Sequence, residues 1–324
     1  MTRIVAVDIG GTNARFAIAM LGSDSGIMLG DPVILESKAH ASFETAWDHF
    51  RELHGANLPA DASIAIAAPV DTPEIRLANI DHWLIRRAGL EERMGVERLS
   101  MINDFGAMGH AVARAGPEHL RHIAGPGIDL PATGTISVVG PGTGLGVAHI
   151  WRGAQGYHVQ STEGGHIDFA PVDAIDDAIL ARLRSRYRRV SVERVASGGG
   201  IADIYETLAA LEGRAIVPIA AREVWAAADD GSDPLAVAAA ERFCLALGTA
   251  AGDYALAHGA SSVVLAGGAA QRQADRLIAS GFRARFVAKG RFQALMEGIP
   301  VKLITHPQPG LFGAAAAFAR EHLI

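Results

Sequence analysis

Two carboxylates that follow predicted strands are the residues best placed for chemistry. Asp8 ends an apolar run that begins at Ile4, and Asn103-Asp104 ends a second run that begins at Leu99. Ligands of open α/β sheets bind at the carboxyl ends of strands, so both carboxylates are expected to face a ligand. Beside phosphates, Asp8 would serve Mg²⁺ directly or through water, and Asp104 would accept the proton of an alcohol that attacks phosphorus. The alternatives are a turn-capping Asp8 and helix capping by Asn103 and Asp104.

Glycine clusters that each follow a predicted strand suggest phosphate binding. The three clusters are Gly10-Gly11-Thr12-Asn13, Gly140-Pro-Gly142-Thr143-Gly144 and Gly267-Gly268. Glycine permits positive φ and lets successive backbone N–H groups approach an anion. A P-loop is excluded because no lysine follows a glycine, and no strand is followed by Gly-x-Gly-x-x-Gly. What remains is a phosphate held by glycine turns from two half-molecules, with ordinary tight turns as the alternative.

A third group of polar residues has a spacing that suits a sugar. In Glu163-Gly-Gly-His166, two small residues separate two polar side chains, so both can reach one ligand while the backbone passes close to it. Glu193 begins a predicted short helix before another glycine-rich turn. A sugar needs several fixed donors and acceptors, whereas zinc would need a second His–carboxylate pair with ligand spacing, which the sequence lacks. A structural histidine and a surface glutamate are the simpler interpretations of His166 and Glu193.

Strands and helices alternate along the chain, which predicts an α/β layered architecture. Apolar runs predict strands over 4–8, 15–20, 63–68, 99–103, 135–139, 147–151 and 262–265. Helical spacing predicts helices over 43–54, 107–115, 173–187, 201–211, 234–258 and 311–321. A strand, a glycine turn and a second strand occur twice, which indicates two halves that open in the same way.

Composition limits the class of protein. The 324 residues correspond to about two domains, and a net charge of −6 offers no electrostatic footprint for nucleic acid. Cys244 is the single cysteine, which excludes an intrachain disulfide and a cysteine-cluster zinc site. The uncharged stretch 130–151 contains five glycines and two prolines, which favours strand, turn and strand over a membrane span. The N-terminal apolar run is too short for a signal peptide, so a soluble cytoplasmic protein without a membrane partner is expected.

Together these residues resemble the bacterial glucokinase family, the proteobacterial type within the hexokinase and actin-like ATPase superfamily. The resemblance spans the whole chain and depends on the order and spacing of its motifs. Those motifs are Asp8-Ile-Gly-Gly-Thr-Asn-Ala-Arg-Phe16, Asn103-Asp-Phe-Gly-Ala107, Gly140-Pro-Gly-Thr-Gly-Leu-Gly-Val-Ala-His149, Glu163-Gly-Gly-His-Ile-Asp-Phe-Ala-Pro171, Glu193-Arg-Val-Ala-Ser-Gly198, Leu265-Ala-Gly-Gly268, Gly281-Phe-Arg-Ala284 and Lys289-Gly-Arg-Phe292.

The resemblance implies an α/β, two-domain actin-like ATPase (RNase H-like) fold, with ATP and sugar in the interdomain cleft. The small domain would comprise residues 1–113 and 305–324, and the large domain residues 114–304. The implied reaction is transfer of the γ-phosphoryl group of ATP to the 6-hydroxyl of glucose, giving the glucose 6-phosphate of glycolysis. Members of the family are usually homodimers, so glucose, ATP, Mg²⁺ and a second copy of the chain are the implied partners.

The resemblance also implies roles for single residues. Glucose would be bound by Asn103, Asp104, Glu163, His166 and Glu193, with Asp104 as the catalytic base. ATP would be bound by Val7, Asp8, Ile9, Gly10, Gly11, Thr12, Asn13, Thr143, Gly144, Gly267 and Gly268. Mg²⁺ would be held near Asp8, through water.

The chain departs from related sequences at two points. The zinc-containing ROK kinases carry a cysteine-rich motif after their Glu-x-Gly-His segment, and a chain with one cysteine cannot supply it. Gly199 stands where the family commonly has proline in Ser-Gly-Pro-Gly. The substitution predicts a looser turn and a small change in nucleotide affinity.

Two alternative functions stay open at this point. The same fold could act as a hydrolase or as a kinase for another acceptor, but such a protein would not need all of the implied sugar ligands together. A sugar-binding regulator without catalysis is the second alternative, and it would be expected to have lost Asp8 or Asp104. Selectivity among glucose, mannose and amino sugars, and the choice of phosphoryl donor, are not decided by the residues.

Overall fold

The computed structural model describes residues 1–22, 26–77 and 80–323, which divide into two compact units. Unit 1 combines Met1–Gly116 with His306–Ile324, and unit 2 is Pro117–Thr305. Each unit has its own sheet and its own apolar core. The chain therefore leaves unit 1, builds unit 2, and returns to unit 1 with its last helix.

Unit 1 contains a six-stranded mixed sheet with helices on both faces and a separate two-stranded sheet formed by its sixth and seventh strands. Its strands are β1 (Thr2–Ile9), β2 (Asn13–Leu21), β3 (Ile27–Leu29), β4 (Val33–Glu36), β5 (Asp61–Ile66), β6 (Glu74–Leu77), β7 (Ile80–Arg86) and β8 (Arg98–Asn103). Its helices are α1 (Phe43–His54), α2 (Leu90–Met94), α3 (Asp104–Arg114) and α12 (Pro309–His322).

Strand β1 lies in the middle of its sheet, and both of its faces are covered. The strand order is β3-β2-β1-β5-β8, with β4 also paired to β2. Strand β2 runs antiparallel to β1, whereas β5 and β8 run parallel to it. Val5 and Val7 pack in the core that contains α1, while Ile4 and Ala6 pack in the core that contains α12. Burial on both faces explains why this strand is apolar at consecutive positions rather than at alternate ones.

Helix α12 crosses α3 at a glycine. A Cβ atom on Gly313 would lie 1.8 Å from the carbonyl oxygen of Ala107, so this approach of the two backbones requires glycine. Because α3 begins at Asp104, the crossing fixes the helix that carries this carboxylate. The last helix of the chain thereby helps to position a candidate catalytic residue that lies far from it in the sequence.

Unit 2 is a second sheet packed against a group of helices. Its strands are β9 (Leu120–Ala124), β10 (Gly134–Pro141), β11 (Leu145–Gly153), β12 (Gly156–Thr162), β13 (Ser262–Leu265) and β14 (Val301–Ile304). Its helices are α4 (Ala174–Arg186), α5 (Gly200–Leu211), α6 (Ala221–Asp230), α7 (Pro234–His258), α8 (Gly267–Arg272), α9 (Ala274–Ala279), α10 (Phe282–Val287) and α11 (Gln293–Glu297).

The predicted repetition of a strand, a glycine turn and a strand is confirmed. Strands β10 and β11 form an antiparallel hairpin, as β1 and β2 do, and each first strand has a parallel neighbour on its other side. The helices predicted over 43–54 and 234–258 have those bounds. The strand predicted over 63–68 is shifted to Asp61–Ile66. The N–H of Ala68 folds back onto the carbonyl of Ile66 at 2.8 Å, which ends the strand before Pro69.

Helix α7 is the central helix of unit 2. Its 25 residues are long and apolar enough to cross a membrane by length and composition, but 72% of its most apolar window is buried inside the protein. Glycines let neighbouring segments approach it, since a Cβ atom on Gly248 would lie 2.3 Å from the carbonyl oxygen of Phe282. Cys244 is buried in this helix, and burial raises the pKa of its thiol to about 12. Cys244 is therefore a core thiol rather than an exposed nucleophile.

Two half-buried histidines meet between this helix and the sheet. The rings of His149 on β11 and His258 at the end of α7 lie 4.8 Å apart. Nδ1 of His258 shares a 2.9 Å hydrogen bond with the hydroxyl of Ser137 on β10. Burial, together with the neighbouring His149, lowers the pKa of His258 to about 4. Nδ1 of His149 is buried and has no hydrogen-bond partner within the described part of the chain.

We expect this pair to make unit 2 sensitive to acid. The pKa of His258 is lowered by folding, so its contribution to stability is present above the unfolded value near 6.5 and is lost as the pH falls toward 4. The loss should be on the order of 2 kcal/mol by pH 4.5. Urea unfolding at pH 7 and pH 4.5 measures it. His258→Asn should remove part of the pH dependence and His122→Asn, at an exposed position on β9, should not; equal pH dependence in all three proteins would contradict the assignment.

Candidate active site

The first glycine turn closes the β1–β2 hairpin of unit 1. The N–H of Gly10 donates to the carbonyl of Asn13 at 3.0 Å, and the carbonyl of Thr12 accepts from the N–H of Ser37 at 2.9 Å. Gly11 and Thr12 are exposed. The turn is therefore held at its base by backbone hydrogen bonds while its tip faces solvent. The side chains of the predicted ligands Val7 and Ile9 are fully buried, so only their backbone can take part in binding.

Asp8 is enclosed by the neighbouring strand and by the last helix. Its carboxylate lies 3.1 Å from a guanidinium nitrogen of Arg15, the residue opposite it in the hairpin. Burial raises the pKa of Asp8, and the charge of Arg15 opposes that rise. A Cβ atom on Gly310, in the first turn of α12, would lie 2.5 Å from Oδ2 of Asp8. Arg15 therefore favours the ionised carboxylate, and glycine at position 310 leaves room for it.

Asn103 and Asp104 lie at the same edge of the sheet as the first glycine turn. Ile9, Ile66 and Asn103 are aligned across β1, β5 and β8. Two strand spacings separate Asn103 from Ile9, which is about 10 Å. The Asp8 turn and Asn103-Asp104 therefore lie at one set of strand ends in unit 1, the edge at which open α/β sheets bind ligands.

Asn103 caps helix α3, as its simpler interpretation predicted. Its Oδ1 accepts from the N–H groups of Phe105 and Gly106 at 2.9 and 3.2 Å, and its Nδ2 donates to the carbonyl of Ala68 at 3.3 Å. Oδ1 of Asp104 accepts from the N–H of Phe105 at 2.8 Å. These bonds fix the orientation of both side chains before any ligand arrives, and they leave Asn103 with one further amide hydrogen to donate.

In unit 2, three glycine segments meet at the end of strand β10. The N–H of Gly142 donates to the carbonyl of Gly144 at 2.8 Å, and the carbonyl of Gly142 accepts from the N–H of Gly198 at 2.8 Å. Gly267 has a φ of +80°, and a Cβ atom there would lie 2.7 Å from the carbonyl oxygen of Pro141. The second and third predicted glycine clusters are therefore neighbours, and a segment predicted only as a further turn packs against them.

The segment Glu163-Gly-Gly-His166 is pressed against strand β11. A Cβ atom on Gly165 would lie 2.0 Å from the carbonyl oxygen of Leu145. The hydroxyl of Tyr254, on α7, donates to the carbonyl of Gly164 at 2.8 Å. The small residues allow a close backbone approach to the protein's own strand, and the approach of this backbone to a ligand stays a prediction.

His166 lies between two carboxylates. Its Nε2 atom is 4.0 Å from Oε2 of Glu163 and 4.0 Å from Oε1 of Glu193. The side chain of Glu163 is 77% exposed, that of His166 is 56% exposed, and that of Glu193 is 25% exposed. Among the described residues, no group of three or more His, Cys, Asp or Glu side chains could hold a metal ion. Three polar side chains at such spacing, with open faces, can instead share the hydroxyls of one polyol.

Gly199 occupies a conformation that proline also adopts. Its φ is −78°, no atom lies within 4 Å of a Cβ atom built there, and its N–H donates no hydrogen bond within the described residues. Gly199→Pro should therefore raise the free energy of unfolding by about 0.4–1 kcal/mol by restricting the unfolded chain. The melting temperature should rise by roughly 1–4 °C. Gly213→Pro is the matched control, because a φ of +66° forbids proline there; a loss of stability in both variants would show that the loop at 199 is constrained in another way.

Comparison with known proteins shows the family of the chain. A family model described as Glucokinase matches residues 5–321. A curated glucokinase from Zymomonas mobilis is 52% identical over 319 residues, which is 98% of each chain, and one from Caulobacter vibrioides is 40% identical over 322 residues, which is 97% of this chain and 94% of the relative. The chain belongs to the glucokinase family. It is accordingly an enzyme of the sugar-kinase class.

The structure of the chain is also similar to solved structures of sugar kinases. A glucokinase from an Antarctic psychrotroph superposes with a TM-score of 0.88 at 33% identity, and 99% of each chain is covered. A ROK family glucokinase from Streptomyces griseus superposes with a TM-score of 0.63 at 21% identity. The second likeness concerns the fold alone. The predicted α/β actin-like ATPase fold is thereby confirmed.

Three residues that contact the candidate ligands of this glucokinase-family chain were not predicted from the sequence. They are Arg15, Tyr254 and Gly310. Arg15 could have been found from the hairpin, since a turn centred between Gly11 and Thr12 places residue 15 opposite residue 8. Tyr254 and Gly310 gave no signal, because each reaches its partner from a helix that is distant in sequence. Their contacts depend on tertiary packing, which local patterns do not report.

Proposed function

We propose that this chain catalyses the ATP-dependent phosphorylation of D-glucose at its 6-hydroxyl to give glucose 6-phosphate. The observation that carries the proposal is a contact within unit 2. The polar cluster of Glu163, His166 and Glu193, which suits the hydroxyls of a sugar, lies against the glycine turn at Gly144. Glu193 lies beside His166 and also against the turn at Gly144. A set of hydroxyl-binding side chains directly beside a backbone suited to phosphate is what a sugar kinase requires.

In this proposal Asp104 is the general base. It takes the proton of the 6-hydroxyl as that oxygen attacks the γ-phosphorus, and the bond from the γ-phosphorus to the bridging oxygen of ADP breaks. Its support is the position of Asp104 at the start of α3, where the hydrogen bond from the N–H of Phe105 holds one carboxylate oxygen. Proton acceptance and orientation of the nucleophile are the main roles of such a carboxylate in phosphoryl transfer.

The glycine turns would hold the nucleotide. Backbone N–H groups of residues 10–13 in unit 1 and of Thr143 and Gly144 in unit 2 would approach the phosphates, and Gly267-Gly268 would lie toward the adenosine. N–H groups aimed at developing negative charge stabilise it without reorganisation. Exposure of Gly11 and Thr12 supports this assignment, since the tip of that turn is accessible.

Asp8 fits a magnesium ion held through water. Its carboxylate is 18% exposed and is paired with Arg15. It therefore offers a single carboxylate group to the ion rather than a complete set of protein ligands. Mg²⁺ usually keeps several waters and is bound through one or two carboxylates and the substrate phosphates. When bound, the ion neutralises charge on the β- and γ-oxygens.

The sugar would be held by Asn103, Asp104, Glu163, His166 and Glu193. A site built to pair a hydroxyl can reject an analogue that lacks it by about 10⁴-fold. Phosphorus-31 NMR of the product tests the proposal, with a signal at the 6-position of glucose expected. Mannose, glucosamine and N-acetyl sugars supply the comparison, and faster turnover of any of them than of glucose would reassign the substrate.

We also propose that the protein is a cytoplasmic homodimer. The resemblance of the motifs implies the dimer, and the single buried cysteine suits a reducing compartment. Light scattering during gel filtration measures the assembly directly. A mass of about twice the 33.9 kDa of one chain is expected, and a mass equal to one chain would contradict the dimer.

A further inference from the structure

We propose that Glu193 couples the two substrates, so that glucose binding raises the affinity for the nucleotide and nucleotide binding raises the affinity for glucose. The inference rests on the proposed function, since it takes His166 as a sugar ligand and the turn at Thr143-Gly144 as a phosphate ligand. It adds a role for one carboxylate that contacts both. A coupling of this kind acts equally in both directions, because it is a free energy shared by the two sites.

The two oxygens of Glu193 face different partners. Oε2 accepts from the N–H of Leu145 at 2.9 Å, at the end of the phosphate turn. The same oxygen would lie 2.3 Å from a Cβ atom on Gly144, so the carboxylate fits against the turn only because that residue is glycine. Oε1 lies 4.0 Å from Nε2 of His166. One side chain therefore touches the candidate phosphate site and the candidate sugar site together.

The backbone around Glu193 joins the same two sites. On one side, the N–H of Val192 donates to the carbonyl of Ile167 at 2.9 Å, directly after His166. On the other side, the N–H of Gly198 donates to the carbonyl of Gly142 at 2.8 Å. The segment between these bonds forms a short 3₁₀ turn over Val192–Arg194. The segment 192–198 is thus hydrogen-bonded to the backbone of both sites, so a movement of the backbone at one site displaces the backbone at the other.

Coupling follows because the first ligand to bind fixes the Glu193 side chain, so the second ligand does not bear that loss of conformational entropy. The side chain of Glu193 is 25% exposed, and a sugar hydroxyl donating to Oε1 would hold its carboxylate in the position that also receives the N–H of Leu145. A second ligand then meets a turn that is already ordered, so it binds more tightly. Couplings between two sites in proteins are commonly 5–150-fold, so we expect a factor of at least about 5.

Glu163 is the natural control for this role. It lies at the same 4.0 Å distance from Nε2 of His166, and its side chain is 77% exposed. Within the described residues it makes no hydrogen bond to the phosphate turn. The two glutamates therefore share the sugar-side contact and differ in the contact with the turn.

The test measures the Kd of glucose by calorimetry, with and without a saturating non-hydrolysable ATP analogue and Mg²⁺, for wild type, Glu193→Asp and Glu163→Asp. Aspartate keeps the charge but is one methylene shorter, so at position 193 it cannot contact His166 and Leu145 together. Glu163→Asp should weaken glucose binding and keep the wild-type coupling factor, whereas Glu193→Asp should bring the factor to about 1. The wild-type factor in both variants, or no coupling in the wild type, would overturn the proposal.

A second variant covers the case in which Glu193→Asp no longer binds glucose. Gly144→Ala replaces none of the sugar ligands, but its methyl group pushes against Oε2 of Glu193 from the side of the turn. We expect it to bring the coupling factor, measured from the Kd of glucose with and without the ATP analogue, to about 1, and the wild-type factor in this variant would refute the coupling. Failure of the proposed function looks different, because the wild type would then release no ADP in response to glucose, whatever the coupling factor.

Discussion

Asp104→Asn is expected to lower kcat by about 10²–10⁴-fold, the usual range for loss of a general base. Asparagine cannot accept a proton at neutral pH, but its amide oxygen can still receive the N–H of Phe105. The start of helix α3 should therefore keep its conformation, and the KM for glucose should change much less than kcat. A steady-state assay of ADP release measures both constants.

The control for Asp104→Asn is a carboxylate of the same unit that has no part in the proposed site. Asp48, on α1, is 48% exposed and pairs with Arg51. Asp48→Asn should keep wild-type activity and nearly the wild-type melting temperature, since exposed ion pairs contribute little. If Asp104→Asn retained more than about a tenth of the activity, the assignment of the base would be wrong.

Gly310→Ala is expected to reduce kcat/KM for ATP by about 10–10²-fold. The added methyl group would lie 2.5 Å from Oδ2 and 2.6 Å from Cγ of Asp8, so the carboxylate must move. A displacement of about 1 Å in a catalytic arrangement can cost 10²-fold. The KM for glucose should respond less, because three of the five proposed sugar ligands, Glu163, His166 and Glu193, belong to unit 2.

Overpacking also lowers stability, so this variant needs a matched glycine. An overpacked core costs about 1–3 kcal/mol, which thermal unfolding would register. At Gly298 a Cβ atom would meet its nearest neighbour at 3.4 Å, and Gly298→Ala should leave activity unchanged. Activities are compared well below both melting temperatures. Normal ATP kinetics in a correctly folded Gly310→Ala protein would show that the position of the Asp8 carboxylate does not matter.

Much of unit 1 follows from local patterns, because strand ends and glycine turns leave clear signals in a sequence. The run from Ile4 to Asp8 predicts both a strand and the edge at which its carboxylate emerges, and the register with Arg15 follows from the turn. The capping role of Asn103 was also foreseeable, since asparagine before a helix is a preferred N-cap. Contacts made by α12 were not foreseeable, because Gly310 and Gly313 meet Asp8 and Ala107 across some 200 residues or more.

In unit 2 the residue types of the site are predictable and their connections are not. Glu163, His166 and Glu193 could be selected as polyol ligands from their spacing and from the family resemblance. Nothing in the sequence indicates that the carboxylate of Glu193 bonds to the N–H of Leu145, or that Tyr254 holds the carbonyl of Gly164. Both contacts arise where β11 and α7 pack against the glycine segments, so they become visible only in three dimensions.

Release of ADP from Mg-ATP by the wild-type protein, without sugar, with glucose and with 6-deoxyglucose, tests the central claim most directly. The account predicts rapid release with glucose and background release in the other two conditions, because 6-deoxyglucose offers the same hydroxyls except the one that attacks phosphorus. Equal release with and without glucose, or turnover with 6-deoxyglucose as fast as with glucose, would contradict phosphorylation at the 6-hydroxyl.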